Sequence, residues 1–235
     1  SNYSLNSLTA EITGKPVTIS GSRLYDSTTT ASSSILTITS GVSGESLSLT
    51  GSGVLGAASA GTQTITNNNT LAIADGSGGL ASNYTLSGAT INVTIIPRTL
   101  NVSLSREYDG TTSVSGVSLT PTFDSLQGGE TLSLSGTGSV SNANVGSSKA
   151  VSLGSIDLAA GSGNPSNYTL NSATMNITQR VINLDGIRAY DATTNVLSSD
   201  INTFGNIVSG ETLTVTGTGS VGNNSVAMNK AITVG

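Results

Sequence analysis

The feature that most constrains this chain is a set of short motifs that recur about every 82 residues. An Arg-x-Tyr-Asp-x-Thr-Thr motif occurs three times, with its tyrosine at Tyr25, Tyr108 and Tyr190. An Asn-Tyr-Ser/Thr-Leu motif with the same period contains the other three tyrosines, Tyr3, Tyr84 and Tyr168. Sequences that repeat at a fixed period fold as similar units in series, each packed against its neighbours. We therefore predict a tandem array rather than one large domain.

The segments between the motifs alternate apolar and polar residues, which is typical of strands with one buried face. The clearest examples in one unit are Leu100-Asn-Val-Ser-Leu104 and Ala173-Thr-Met-Asn-Ile177. Gly- and Asn-rich turns separate such segments, and no helical period is present. Six or seven short antiparallel strands per unit predict an all-β chain of small β-sandwich-like domains. A parallel β-helix is the alternative, although its coils normally recur at much shorter periods.

The repeat divides the chain into four segments. Residues 1–14 are the tail of a preceding unit, 15–97 the first unit, 98–179 the second, and 180–235 a third unit that breaks off before its Asn-Tyr motif. Almost no linker separates the predicted strands on either side of Pro97 and Gln179, and no Gly/Ser-rich tether lies there. We therefore expect the units to form an elongated, semi-rigid rod.

Charged residues make up only 9% of the chain, and they too recur in register. The repeated motif residues are Arg23, Tyr25, Asp26, Glu45 and Tyr84 in the first unit, Arg106, Tyr108, Asp109, Glu130 and Tyr168 in the second, and Arg188, Tyr190, Asp191 and Glu211 in the third. We interpret them as structural: the Asp caps backbone amides in a turn, the Tyr covers the edge of the core, and the Arg pairs with a carboxylate. Because Ser27 and Ala192 replace the Gly that follows Asp109, a positive φ is not expected to be obligatory there.

The composition excludes several classes of function. The chain has no Cys and no His, which excludes disulfides, zinc sites of the usual kind and Ser-His-Asp or Cys-His catalysis. Asp109 and Glu130 could be nominated as a glycosidase pair, but the chain has no Trp and such sites usually have aromatic platforms for the sugar. We expect no enzymatic activity and no cofactor, with calcium bound at the unit junctions as a minor hypothesis.

The charge and hydropathy of the chain also exclude two kinds of partner. The net charge is −5 and no basic patch is present, so nucleic-acid binding is not expected. No apolar run approaches the length of a bilayer-spanning helix, so we expect no membrane insertion.

The motifs of the second unit, taken in order, resemble the YDG repeat, which is related to the glycine-rich MBG repeat. They are Arg106-Glu-Tyr-Asp-Gly-Thr-Thr112, Gly129-Glu-Thr-Leu132, Gly136-Thr-Gly138, Asn142-Ala-Asn-Val-Gly146 and Asn167-Tyr-Thr-Leu170. The first unit departs most, with Asp26-Ser27 in place of Asp-Gly. The resemblance implies a stalk of a very large bacterial surface adhesin, filamentous-haemagglutinin-like and exported by two-partner secretion. It therefore implies an extracellular or cell-surface location.

From this resemblance we expect the array to project a separate adhesive region and to support cell adhesion, aggregation or biofilm formation. Its expected partners are the neighbouring repeats of the same chain, while other regions would bind an extracellular polysaccharide or a host or cell-surface ligand. The alternative is that the repeats themselves bind matrix polysaccharide or associate with copies of themselves between cells. Exposed aromatic or apolar residues repeating on one face would favour the alternative, and burial of the tyrosines would favour the stalk.

Overall fold

The computed structural model describes residues 7–234, so Tyr3 lies outside the described residues. Every regular element in that range is a strand or a single-turn 3-10 helix, which confirms the predicted all-β fold. The strands of the first unit are β1 (Lys15–Leu24), β2 (Thr30–Ser32), β3 (Leu36–Thr39), β4 (Leu47–Thr50), β5 (Ser52–Leu55), β6 (Gly61–Asn67), β7 (Ala72–Asp75) and β8 (Tyr84–Ile96).

The remaining strands belong to the second and third units. Those of the second unit are β9 (Arg98–Glu107), β10 (Ser113–Ser115), β11 (Thr122–Phe123), β12 (Leu132–Ser135), β13 (Thr137–Val140), β14 (Gly146–Ser152), β15 (Asp157–Ala160) and β16 (Tyr168–Thr178). Those of the third are β17 (Asn183–Gly186), β18 (Asn195–Leu197), β19 (Ile201–Gly205), β20 (Thr218–Val221) and β21 (Ile232–Val234). The 3-10 helices are Ser33–Ile35, Ala81–Asn83, Gly116–Ser118, Pro165–Asn167 and Ser198–Asp200.

The first two units have the same topology. In the first unit a six-stranded sheet has the order β2-β5-β6-β8-β1-β3, and β4 pairs with β7 in a separate sheet. In the second unit the order is β10-β13-β14-β16-β9-β11, and β12 pairs with β15. Each strand of the second unit thus has the place of the strand eight positions earlier, so the repeat in sequence is also a repeat in structure.

The predicted alternation fills the core of each unit. On β9, Val102 and Leu104 are buried while Ser103 between them faces solvent. On β16, Met175 and Ile177 are buried in the same apolar cluster. The inner faces of β9 and β16 therefore form the centre of the second unit's core. Burying each side chain of this size contributes roughly 1.5–3 kcal/mol.

One strand pair differs in direction from the antiparallel arrangement that we predicted. Most neighbouring strands are antiparallel, but the first and last strands of each complete unit are adjacent and parallel. The β9–β16 pair runs from Arg98 opposite Tyr168 to Glu107 opposite Thr178. Alternation indicates which face of a strand is buried and gives no information on the direction of its neighbour. The many antiparallel pairs also rule out the parallel β-helix alternative for the described residues.

The third unit contains only part of this plan. The β17–β19 pair corresponds to β9–β11, and the β18-β20-β21 sheet corresponds to β10-β13-β14. The described residues contain no counterparts of β15 and β16 in this unit. The segment around Leu213, equivalent to β12, forms no strand, because backbone groups need a pairing partner to form one. Large apolar side chains such as Ile187 and Met228 are exposed in this unit.

Residues 7–14 precede the first sheet and form no strand. We predicted that residues 1–14 are the tail of a preceding unit, in which Leu8 and Ile12 occupy the places of Ala173 and Ile177 of β16. Leu8 is 88% exposed and Ile12 is 97% exposed. Their apolar side chains are therefore not packed against any of the described units.

Candidate functional site at the junction between units

The Arg, the Asp and the first Thr of each Arg-x-Tyr-Asp-x-Thr-Thr motif form a closed local network. In the second unit Asp109 Oδ1 accepts hydrogen bonds from the Thr111 backbone N–H (2.9 Å) and hydroxyl (3.0 Å), while Arg106 Nη1 donates to Asp109 Oδ2 (2.9 Å). Arg106 also donates to the carbonyl oxygens of Thr111 and Ser113. The motif is therefore a self-capped turn, as its sequence predicts.

The same turn forms in the other two units. Asp26 accepts from the N–H of Thr28 at 2.9 Å and pairs with Arg23. Asp191 accepts from the N–H of Thr193 at 2.9 Å and pairs with Arg188. The Thr193 N–H, Arg188 and the Thr193 hydroxyl lower the pKa of Asp191 to about 2. Because the turn is complete even in the incomplete third unit, it needs no contact beyond its own motif.

The residue after the Asp has a positive φ in all three copies, and our prediction on this point was wrong. Ser27 has a φ of 63°, Gly110 of 74° and Ala192 of 62°. Left-handed backbone is unfavourable for a residue with a Cβ by roughly 1–2 kcal/mol. The hydrogen bonds of Asp and Arg define the path of the turn, so Ser and Ala are held in the conformation that glycine adopts freely.

The tyrosine of the motif reaches out of its own unit into the next one. Tyr25 Oη donates to Glu130 Oε1 at 2.5 Å, and Tyr168 Oη donates to Glu130 Oε2 at 2.6 Å. The rings of Tyr25 and Tyr168 meet edge to face, with centroids 5.3 Å apart and an interplanar angle of 77°. One carboxylate thus holds the tyrosines of two different units, an arrangement in which charge-assisted hydrogen bonds and aromatic packing act together.

Backbone contacts reinforce the same junction. The N–H of Tyr25 donates to the carbonyl of Ile96 at 2.9 Å, and Arg98 Nε donates to the carbonyl of Tyr25 at 3.0 Å. The residues that carry these groups, Ile96 and Arg98, flank the single linker residue Pro97. The buried side chain of Asn167 accepts from the N–H of Ala60 at 2.8 Å.

An apolar cluster is continuous across this junction. It joins Val93 and Ile95 of the first unit to Leu100 and Leu132 of the second, with Tyr25 among them. The two units therefore share buried apolar surface, which stabilises their contact in proportion to the area removed from water. The Pro97 linker is short because the core itself continues through it.

The junction between the second and third units has the same kinds of contact as the first, but fewer of them. Tyr108 Oη donates to Glu211, and Arg180 Nη1 donates to the carbonyl of Tyr108 at 3.2 Å. No tyrosine equivalent to Tyr168 lies at this junction among the described residues, and a groove of about 450 Å³ lies beside Tyr108, Arg180 and Glu211. At both junctions the projecting Tyr donates to the Glu of the following unit, and the Arg that opens that unit binds the Tyr carbonyl.

The burial of the motif tyrosine follows the completeness of the unit that comes next. Tyr25, followed by a complete unit, is 3% exposed; Tyr108, followed by a partial unit, is half-buried; Tyr190 is 66% exposed. The local turn is the same in all three cases. Tyr25 covers the edge of a core that its own unit and the following unit share, and Tyr108 packs against the core of its own unit.

The electrostatics of the junction keep its tyrosines neutral. Burial and the hydrogen bond to Glu130 raise the pKa of Tyr25 from 10.0 to about 12. The same two causes raise the pKa of Tyr168. The hydrogen bond to Glu211 raises the pKa of Tyr108. A neutral hydroxyl donates a hydrogen bond to a carboxylate, whereas a phenolate would repel it. Deprotonating Tyr25 or Tyr108 would therefore weaken the contact between the units.

The first unit carries the receiving half of a junction at its N-terminal end. Tyr84 Oη donates to Glu45, as Tyr168 does to Glu130. This hydrogen bond raises the pKa of Tyr84. The motif residues therefore form two groups: a projecting Tyr at one end of a unit, and a Glu with the Asn-Tyr tyrosine at the other.

Three junction residues are not among the motif residues that the sequence analysis selected. Arg98 and Arg180 open their units and bind the carbonyl of the projecting Tyr, and Asn167 binds Ala60. The two arginines could have been selected from the sequence, because both occur at the first position of their units. Their carbonyl partners could not be identified, because sequence spacing does not indicate which backbone groups meet.

The chemistry available at the junction is recognition between units. Across residues 7–234 no three His, Cys, Asp or Glu side chains are close enough to share a metal ion. Helices long and apolar enough to cross a membrane are likewise absent from that range. The carboxylates at the junction accept hydrogen bonds from tyrosines, and the arginines bind backbone carbonyls.

Comparison with known proteins identifies the family. The model of the YDG domain matches the chain twice, at residues 8–93 and 90–175, so the two matches begin 82 residues apart (90 − 8). No curated protein and no solved structure matches the chain. Because the two matches together cover more than half of its length, the chain belongs to the YDG domain family.

Proposed function

We propose that this chain is a stalk segment of a large bacterial surface adhesin, which projects a separate adhesive region from the cell. The observation that carries the proposal is the junction at Glu130, where Tyr25 of one unit donates to a carboxylate of the next and lies buried in an apolar cluster that both units share. A chain of independent binding modules would not need a shared core and a one-residue linker. A spacer does need them, because both reduce bending between units.

The surface area of the chain supports the same proposal. The accessible surface is 14113 Å², whereas a compact monomer of 23.3 kDa would expose roughly 9,700 Å². Each complete unit also has its chain entry and exit at opposite ends of the β9–β16 or β1–β8 pair. Units joined in this way extend in one direction.

The alternative function is that the repeats themselves bind a matrix polysaccharide or one another. It predicts aromatic side chains presented repeatedly on one exposed face. Tyr25, Tyr84 and Tyr168 are buried instead. Tyr190 is exposed, and no further unit packs against it among the described residues. The tyrosines of the two complete units are thus engaged within the array, which favours the stalk.

The proposal can be tested by surface display. The chain is placed between a membrane anchor and a small reporter domain of known ligand on a laboratory bacterium, and a matched strain displays the chain without the reporter. The stalk predicts capture on the reporter's ligand only when the reporter is present. It also predicts that neither strain binds polysaccharide or aggregates beyond cells carrying the anchor alone. Aggregation or polysaccharide binding by the chain without the reporter would contradict the stalk and support the alternative.

A further inference from the structure

The parallel pairing of the first and last strands determines how each unit would meet a pulling force. In the second unit the chain enters at Arg98 and leaves at Thr178, and these residues lie at opposite ends of the β9–β16 pair. A ten-residue strand spans about 33 Å at ~3.3 Å per residue. Tension along the array therefore pulls the two neighbouring strands in opposite directions along their length.

This loading is shear, in which all the hydrogen bonds between the two strands resist together. If the first and last strands were antiparallel neighbours, entry and exit would lie at the same end and the bonds would break one after another. The register of β9 and β16 continues over ten residue pairs, with a shift between Leu170 and Ser172. The first unit repeats the arrangement in β1 and β8.

The strand pair also has neighbouring strands on both edges and a buried apolar cluster beneath one face. β14 flanks β16 and β11 flanks β9, so the pair lies inside the six-stranded sheet. Val102, Leu104 and Met175 are buried beneath it. A hydrogen bond that water cannot reach is stronger, because its local dielectric constant is low.

The junction transmits force with little slack. Tyr25 binds the carbonyl of Ile96 through its N–H and accepts from Arg98 through its own carbonyl. The end of the first unit and the start of the second are therefore tied on both sides of Pro97. Load on one strand pair passes to the next without first extending a flexible linker.

We propose that each complete unit is a mechanical clamp, and that the array bears tension between the cell and whatever the adhesive region holds. The proposal deepens the stalk function and rests on it for its biological purpose. The mechanical claim itself concerns the pairing of β9 with β16 and can be tested separately.

The test compares two pulling directions on the same unit. The chain has no Cys, so handles can be attached at introduced thiols on exposed strand residues. Thr99→Cys with Thr178→Cys loads the β9–β16 pair in shear, and Thr99→Cys with Thr169→Cys peels the same pair from one end, because Thr99 lies opposite Thr169. Both double variants of the full chain are pulled at the same rate in optical tweezers.

The clamp predicts that the shear pair ruptures at a force at least about twofold higher than the peeling pair. In the shear geometry the 79 residues between the handles (178 − 99) should release about 250 Å, from ~3.5 Å per residue less the ~30 Å of folded strand. Equal forces, or a lower force in shear, would overturn the proposal. Thermal melting of both variants close to that of the parent chain establishes that each is folded.

A junction variant separates this proposal from the stalk. Tyr25→Phe removes the hydrogen bond between the units but changes no residue of the second unit, so the shear rupture force of β9 and β16 should not change. An extended chain with equal forces in both directions would leave the stalk standing and remove the clamp. A compact chain with a higher force in shear than in peeling would support the clamp and contradict the stalk.

Discussion

At the residue scale, the position after the motif Asp shows that a turn can require a positive φ even where its sequence has no glycine. Ser27 and Ala192 have the same positive φ as Gly110. The Asp and Arg contacts that define the turn are present in every copy. The turn is therefore imposed by its hydrogen bonds, and glycine is the residue that adopts it at least cost.

We predict that Ser27→Gly stabilises the first unit by about 1 kcal/mol, because it removes the cost of left-handed backbone at a residue with a Cβ. Urea denaturation measures the change. Ser43→Gly, at an exposed residue without a positive φ, is the matched control and should give no gain. The reverse change, Gly110→Ala, should destabilise, since its Cβ would lie 2.8 Å from Val208 Cγ1. A loss of stability in Ser27→Gly equal to that of the control would contradict the explanation.

The contact between Tyr25 and Glu130 should be measurable as a coupling between units. A double-mutant cycle of Tyr25→Phe and Glu130→Gln is expected to give an interaction free energy of about 1–2 kcal/mol, because a hydrogen bond to a charged group is lost in either single variant. A cycle of Tyr190→Phe with Glu130→Gln serves as the control, since Tyr190 is exposed and belongs to the third unit. Additive effects in both cycles would show that the tyrosine is not held by the next unit.

The raised pKa of Tyr25 predicts how stability depends on pH. The pKa is about 12 in the folded chain against 10.0 ordinarily, so the unfolded chain loses the proton first. The stabilisation is therefore fully present below about pH 10 and is lost as the pH rises toward 12. Unfolding at a series of alkaline pH values should show this decline, and Tyr25→Phe should reduce it. A parent chain whose stability is flat across that range, or a variant that declines equally, would be inconsistent with the assignment.

The composition and the spacing were enough to predict the self-capped turn around Asp109, since all of its partners lie within a few residues. They were not enough to identify the partner of Tyr25. Glu45 and Glu130 are the same motif residue in successive units, and a repeat gives both the same local sequence. Only the folded path of the chain determines that Tyr25 meets Glu130 rather than Glu45.

At the element scale, the last strand is the part that closes a unit. β16 pairs on one side with β14 and on the other with β9, and so unites both halves of the sheet. The third unit has β17 and β21 in the places of β9 and β14, without a strand between them. Its apolar side chains are correspondingly exposed.

We predict that a synthetic peptide with the sequence of residues 167–178 binds the third unit by pairing between β17 and β21. The apolar positions Ala173, Met175 and Ile177, which face the core of the second unit, would cover the exposed apolar face. Titration calorimetry and amide hydrogen exchange in residues 183–234 measure binding and protection. A peptide in which these three residues exchange places with their polar neighbours is the control, because a one-residue shift turns the apolar side chains outward. Equal binding of both peptides would refute the prediction.

The individual strands were largely predictable and their pairing was not. The alternation of Leu100 to Leu104 and of Ala173 to Ile177 corresponds to β9 and β16, because each strand has one face in the core. The alternation is less regular from Val114 to Phe123, and this region is divided into β10, a 3-10 helix and β11. The local periodicity of a segment predicts which of its residues are buried. The pairing of β9 with β16, by contrast, joins residues about 70 positions apart in the sequence.

At the scale of the whole molecule, the repeated junction converts local motifs into an extended array. Entry and exit at opposite ends of each unit set its direction, and the junction at Glu130 limits bending. The domain boundaries at Pro97 and Gln179 follow from the same repeat and remain a prediction for limited proteolysis. The motif tyrosines, which we predicted to cover the core edge of their own unit, also connect it to the next unit at Tyr25 and Tyr108.

Small-angle X-ray scattering of the full chain tests this account most directly. Three units of about 33 Å each, joined end to end, predict a radius of gyration of about 25–30 Å and a maximum dimension near 100 Å. A compact fold of the same length would have a radius of gyration of about 17–18 Å. A value in the higher range is the result that the account predicts. A value near 17–18 Å would contradict the claim that the junctions hold the units in a rod.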